Sequence, residues 1–123
     1  MSLGVHVIAD LCSCDAGLLN DPVFIEKMLK DATKAAGATE IRTIVHTFNP
    51  VGVTGVTVLA ESHISIHTWP EKGVATVDAF TCGKTDPQKA IDFICLALKG
   101  VYSERYTLLR VPNESFETSA HLS

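Results

Sequence analysis

Two stretches of this chain read as the same helix written twice. "NDPVFIEKMLKDATKAAG", which starts at Asn20, and "TDPQKAIDFICLALKG", which starts at Thr85, each place a capping residue (Asn20 or Asp21; Asp86) before a proline. The capping side chain accepts from the first backbone N–H groups, and proline lacks an N–H that a first turn would leave unpaired anyway. Each stretch then closes on a glycine, Gly37 and Gly100. Phe24, Ile25, Met28, Leu29, Ala32 and Ala36 recur at helical spacing in the first, and Ile91, Ile94, Cys95 and Leu98 in the second. Each helix therefore has one apolar stripe and must lay it against something. Strand patterns supply the partner, over residues 3–11, 39–48, 56–62, 63–69, 74–82 and 101–111, with "NPVGVTG" and "PEKG" read as bends or turns between them. The order β-α-β-β-β-β-α-β predicts an α+β two-layer sandwich, an antiparallel sheet of four or more strands with both helices on one face.

Such a sheet keeps a second face that its own helices do not cover. Within "AESHISIHTWPE", residues 60–71, Ile64 and Ile66 point one way while His63, Ser65, His67 and Trp69 point the other. If the following strand keeps its phase, Asp78, Phe80 and Cys82 join them. A face that is half polar and half aromatic is a candidate site or a candidate interface. Taken alone, most polar residues have no catalytic role. Two chemistries are nevertheless open: a thiolate-imidazolium pair between Cys82 and His67, which is how a cysteine nucleophile is activated, and a metal held by His63 and His67. The i, i+4 spacing of the second pair suits a helix better than a strand.

With 123 residues, 46% hydrophobic and 20% charged, the composition is globular, and residues 1–110 are expected to form one domain, with 111–123 as a tail. The chain starts without a basic segment followed by a long apolar run, so a cytoplasmic protein with no membrane partner is expected. A net charge of −4 without an arginine-rich tract argues against nucleic acid as a partner. Cys12, Cys14, Cys82 and Cys95 are expected to be reduced thiols. Cys12 and Cys14 have no second pair at zinc-site spacing, so no metal is expected.

The run "GVTG", then "ESHISIHTWPE" and "DAFTCG", with "FNP" ahead and "TDP" after, closely resembles the small prokaryotic S-adenosylmethionine decarboxylases. The resemblance runs from "LGVHVIADL" to about residue 110, in order and without large gaps. It implies a proenzyme that cuts itself between Glu61 and Ser62, giving chains 1–61 and 62–123. The Ser62 hydroxyl would replace the amide with an ester, His67 would take the Ser62 α proton, and elimination and hydrolysis would leave a covalent pyruvoyl cofactor at position 62. That ketone would condense with the amine of S-adenosylmethionine and accept the electrons released with carbon dioxide. Cys82 matches the family's proton donor, and Thr54 stands where the family usually has a serine tied to processing. Phe48, Trp69 and Glu71 match substrate-pocket positions, aromatic surfaces for the adenine or sulfonium and a carboxylate for the ribose. The resemblance further implies homodimers in which both protomers contribute to each site, and a product that donates aminopropyl groups for spermidine synthesis.

One departure is plain. The family commonly has "GRH" near the N-terminus, whereas this chain has Gly4, Val5 and His6. Pyruvoyl chemistry is indifferent to what hangs beyond the α carbon, so a paralogue acting on arginine or ornithine is the alternative, with a binding module that never cleaves as a third.

Overall fold

The computed structural model describes residues 3–112. Six strands form one antiparallel sheet: β1 (Gly4–Cys12), β2 (Glu40–Thr47), β3 (Val53–Leu59), β4 (Ser62–Trp69), β5 (Val74–Thr81) and β6 (Val101–Arg110). Their order across the sheet is β2-β3-β4-β5-β1-β6, so the chain's first strand lies between its last two. Three helices accompany them, a single turn α1 (Ala16–Leu19), α2 (Pro22–Ala35) and α3 (Pro87–Ala97), and a 3-10 turn (Pro70–Lys72) joins β4 to β5. No helix among the described residues is long and apolar enough to cross a membrane. Of the tail expected over 111–123, residues 113–123 lie outside the described residues.

The two long helices start where their sequences place them. Asp21 accepts from the amides of Val23 and Phe24, Asp86 from that of Gln88, and each is followed by proline at the first helical position. Their stripes, Ile25, Met28, Leu29 and Ala32 on α2 and Ala90, Ile91, Ile94 and Cys95 on α3, are buried. α2 covers β2 and β3, α3 covers β5 and β1, and the helices pack on each other. Beneath them the inward residues alternate along every central strand: Val7, Ala9 and Leu11; Ile64 and Ile66; Ala75, Val77 and Ala79. The expected two-layer sandwich is the observed one.

Two boundaries and one short helix differ from expectation for steric or hydrogen-bonding reasons. The strand expected from Val56 begins at Val53, so Gly55 is a strand residue. A Cβ there would sit 2.7 Å from Leu29 Cδ1, and glycine lets α2 approach β3. α3 stops through Lys99, whose φ is 57°, rather than through Gly100; a Cβ at Gly100 would meet the Cys14 sulfur at 2.8 Å. α1 was not expected, and it positions one end of the open face. Its Leu19 carbonyl accepts from buried Thr68, and Asn20 accepts from the Gly52 amide, fastening the β2–β3 loop to the end of β4. Because Leu29 is fully buried, Gly55→Val should overpack the α2–β3 junction and cost about 1–3 kcal/mol. The effect would be read as a fall in urea midpoint at unchanged slope.

Candidate functional site

Residues paired directly across antiparallel strands point to the same face, so the registers define the side of the sheet away from the helices. One row across it runs Val58, His63, Phe80, His6 and Leu108; the next Val56, Ser65, Asp78, Ile8 and Tyr106; the next Thr54, His67 and Thr76. The expected alternation of β4 is therefore correct. Cys82 departs from it: β5 ends at Thr81, and Cys82 is exposed in the following loop, its carbonyl accepting from Thr85.

The candidate residues fall into two groups at opposite ends of β4. At the start of the strand Ser62 pairs with Thr81, one residue before Cys82. Ser62 has φ 143°; the other described non-glycine residues with positive φ, Ser13 and Lys99, lie near 58° in the ordinary left-handed region. A serine held there is strained. The turn before it is fastened from one side, since Glu61 Oε1 accepts from the Thr39 amide at 3.0 Å and the Ala60 amide donates to the Thr39 carbonyl.

At the far end of β4, Phe48, Thr54, His67, Trp69 and Glu71 line a cleft of about 370 Å³ with Val51, Gly52 and Thr68. Thr54 Oγ1 lies 2.9 Å from His67 Nδ1, so the methyl that threonine adds does not keep its hydroxyl from the imidazole. His46, which no sequence pattern singled out, stacks edge-on against Phe48 with centroids 4.7 Å apart. Trp69 and Phe48 remain 39% and 52% exposed, so their aromatic surfaces are available to a ligand. A somewhat larger cleft, about 400 Å³ between Phe24, Met28, Phe93 and Ala97, lies on the helical side, and its charged rim is occupied by the Lys27–Asp31 pair.

His67 lies five steps along the strand from Ser62, about 16 Å at the usual rise. The Cys82–His67 pair therefore does not form within one chain. Nor do His63 and His67 converge on a metal, because His63 Nε2 turns to Asp78 at 2.8 Å while His67 turns to Thr54. Cys12 and Cys14 do not offer two thiolates either: burial, with Cys95 and Cys12 adding to it, pushes the Cys14 thiol up to about 11. Val5 lies on the helix side, packed against the core and paired with Thr81, away from the aromatic cleft. A cation reaches the open face instead from β6, where the Arg110 guanidinium stands 5.5 Å over the Phe80 ring.

Between the two groups lies a network of which the sequence pattern showed only His63, Ser65 and Asp78. Asp78 Oδ2 is 2.7 Å from His6 Nε2 and 2.8 Å from His63 Nε2, and its other oxygen accepts from the Ser65 hydroxyl. Burial raises the Asp78 pKa, but the hydrogen bonds from Ser65, His6 and His63, with the charge of His63, outweigh it and hold the carboxyl below its ordinary value. A carboxylate whose folded pKa is depressed adds stability that is complete above its unfolded pKa and is lost as pH falls through the folded value. Acid unfolding followed between about pH 5 and pH 2 should show this loss, and Asp78→Asn should flatten that limb.

A family model described as S-adenosylmethionine decarboxylase matches residues 5–111. The S-adenosylmethionine decarboxylase proenzyme of Methanococcus aeolicus is 56% identical over 93 residues, 75% of this chain and 80% of that protein. The proenzyme of the same name from Prochlorococcus marinus is 49% identical over 107 residues, 86% of this chain and 85% of that one. From Pyrococcus furiosus it is 39% identical over 121 residues, 98% and 87%. The crystal structure of the adenosylmethionine decarboxylase from Aquifex aeolicus superposes with a TM-score of 0.78 at 42% identity, covering 92% of this chain and 94% of that one.

Proposed function

The chain belongs to the S-adenosylmethionine decarboxylase family, and from that premise we propose that it decarboxylates S-adenosylmethionine after cutting itself between Glu61 and Ser62. The observation that carries the cleavage is the backbone of Ser62, strained at φ 143° directly after a turn that Thr39 holds in place. The Ser62 hydroxyl attacks the Glu61 carbonyl, the C–N bond breaks, and an ester and a free amine replace the amide. Removal of the Ser62 α proton expels the Glu61 carboxylate, and after tautomerisation water displaces ammonia. Residues 1–61 leave as one chain and 62–123 as a second whose first residue is a ketone, with no net oxidation.

That ketone is an electron sink able to condense with a substrate amine. The surroundings of Ser62 fit it: a strand start beside an exposed thiol, Cys82, which is the proposed donor of the proton that replaces carbon dioxide. The cleft at the other end fits the substrate. Phe48 and Trp69 offer faces to an adenine and a sulfonium, and Glu71 a carboxylate to ribose hydroxyls. For His67 to act as a base its Nε2 must be bare, which requires Nδ1–H to donate to Thr54 Oγ1.

These two half-sites are some 16 Å apart along β4, so a complete site needs a second copy whose His67 end meets the Ser62 end of the first. A two-fold axis does this twice over. The open face supports such a partner, with exposed Ile44, Val58, Tyr106 and Leu108 around the polar network. Intact mass under denaturing conditions, with carbon dioxide release from S-adenosylmethionine, ornithine and arginine, tests the proposal. Two fragments split at Glu61 and Ser62, the second lighter than hydrolysis alone allows, with release from S-adenosylmethionine, support it. A single uncleaved mass refutes the cleavage, and preference for ornithine or arginine refutes the substrate.

A further inference from the structure

Cleavage creates a mechanical problem at the residue that carries the chemistry. Position 62 becomes a chain terminus, and terminal residues fray unless something ties them down. The backbone of Ser62 is flanked by Thr81 on one side and by Leu59 on the other, and Leu59 is itself two residues from the other new end. The first side chain able to anchor the ketone-bearing end is therefore that of His63.

His63 is tied to a carboxylate on which three strands converge. Its Nε2 donates to Asp78 Oδ2 on β5; the same oxygen accepts from His6 Nε2 on β1, and Ser65 of β4 donates to the other oxygen. The orientation of His6 is fixed in turn by Arg110, whose Nη1 lies 3.1 Å from His6 Nδ1. Guanidinium nitrogens only donate, which assigns the His6 proton to Nε2, aimed at Asp78. Phe80 packs beside both imidazoles, at 5.2 Å from His6 and 6.3 Å from His63. The three ligand-type atoms lie within 4.8 Å of one another, as a metal site would have them. A metal would need His6 Nε2 bare and its proton on Nδ1, facing a donor that cannot accept. Arg110 thus favours a hydrogen-bonded carboxylate over a metal.

We propose that the His63–Asp78–His6 network is a clamp that holds the terminal ketone in register beside Cys82 once the chain is cut. This rests on the self-cleavage proposed above. The two products share the network in the way a clamp requires. His63, Ser65 and Asp78 fall on the second product, His6 falls on the first, and the Asp78 carboxylate joins the two. The other new end has its own tie, Glu61 to Thr39, wholly within the first product. His63 is a positioning residue here, acting through the backbone it carries.

The test compares the wild-type protein with His63→Ala and His63→Gln. Gln presents an amide N–H close to where Nε2 lies, and so restores the donor without restoring an imidazole. Intact mass reads cleavage, hydrogen exchange reads the first peptide of the second product, and steady-state kinetics separate kcat from KM. His63→Ala is expected to cleave, to exchange about tenfold faster in that peptide, and to lose about 100-fold in kcat, the cost of a misplacement near 1 Å, while KM stays within about twofold. His63→Gln is expected to recover both exchange and kcat. Exchange and kcat in His63→Ala equal to wild type would overturn the clamp alone. A His63→Gln variant as impaired as His63→Ala would overturn it in favour of a chemical imidazole, and zinc titration with stoichiometric uptake lost in His63→Ala would overturn it in favour of a metal. A wild-type chain that never cleaves would overturn both readings.

Discussion

Ser62→Ala purifies as one uncleaved chain and releases no carbon dioxide from S-adenosylmethionine: this is the expected result for the smallest substitution in the molecule with the largest consequence. The change removes a single oxygen from a half-buried strand start, and among the described residues it breaks no side-chain hydrogen bond, so the fold should stand. What is lost is the only atom that can convert the Glu61–Ser62 amide into an ester, and without the ester no elimination and no ketone follow. Activity should fall to background rather than by a finite factor, because the electron sink is never built. Mass spectrometry and carbon dioxide release decide it together. A variant that stays whole yet decarboxylates would show that the reaction needs no ketone at position 62, and the proposed chemistry would have to be abandoned.

The helices were legible in the sequence because their determinants are local. Asp21 and Asp86 reach amides two or three residues ahead, and the apolar stripes repeat within one turn. What misled was also local evidence. Gly52 and Gly55 look like one flexible loop, yet Gly55 is in β3 because Leu29, 26 positions earlier by numbering, leaves no room for a Cβ. The single turn α1 spans four residues, too few for a period to show. Gly100 resembles a helix stop, but Lys99 takes the left-handed conformation and the glycine serves to admit the Cys14 sulfur.

The site was legible in one dimension only. Alternation along "HISIHTW" says which face a side chain takes, and that reading holds for His63, Ser65, His67 and Trp69. It says nothing of which residues pair with the next strand, and so His67 and Cys82 read as neighbours when His67 pairs with Thr76 and the ladder keeps Cys82 at the other end. The His6–Asp78 contact spans 72 residues and depends on β1 inserting between β5 and β6, a pairing that no local pattern announces. Val5 stands where the family commonly has an arginine, and its side chain points into the helix-covered layer, in the same row of cross-strand pairs as Thr81 and Ser62.

If each site is built from two copies, two dead proteins should make a live one. His67→Ala removes the base at the cleft end of β4, and Cys82→Ala removes the proton donor at the other end; each variant alone should lose nearly all turnover. In a mixed dimer the Ser62 and Cys82 of the first variant face the His67 of the second, so one of the two sites has every wild-type group, while the other has lost both. Random association makes half the dimers mixed and leaves about a quarter of the wild-type activity per protomer. The two variants must be produced together, since His67 also serves cleavage and a homodimer of His67→Ala would never form the ketone. Carbon dioxide release from the co-produced protein, set against each variant made alone, gives the result. Recovery near one quarter requires residues from two chains at one site. No recovery, with mixed dimers demonstrated by tagged purification, would mean that each chain completes its own site, and β4 would have to fold differently from the ladder that now separates Ser62 from His67.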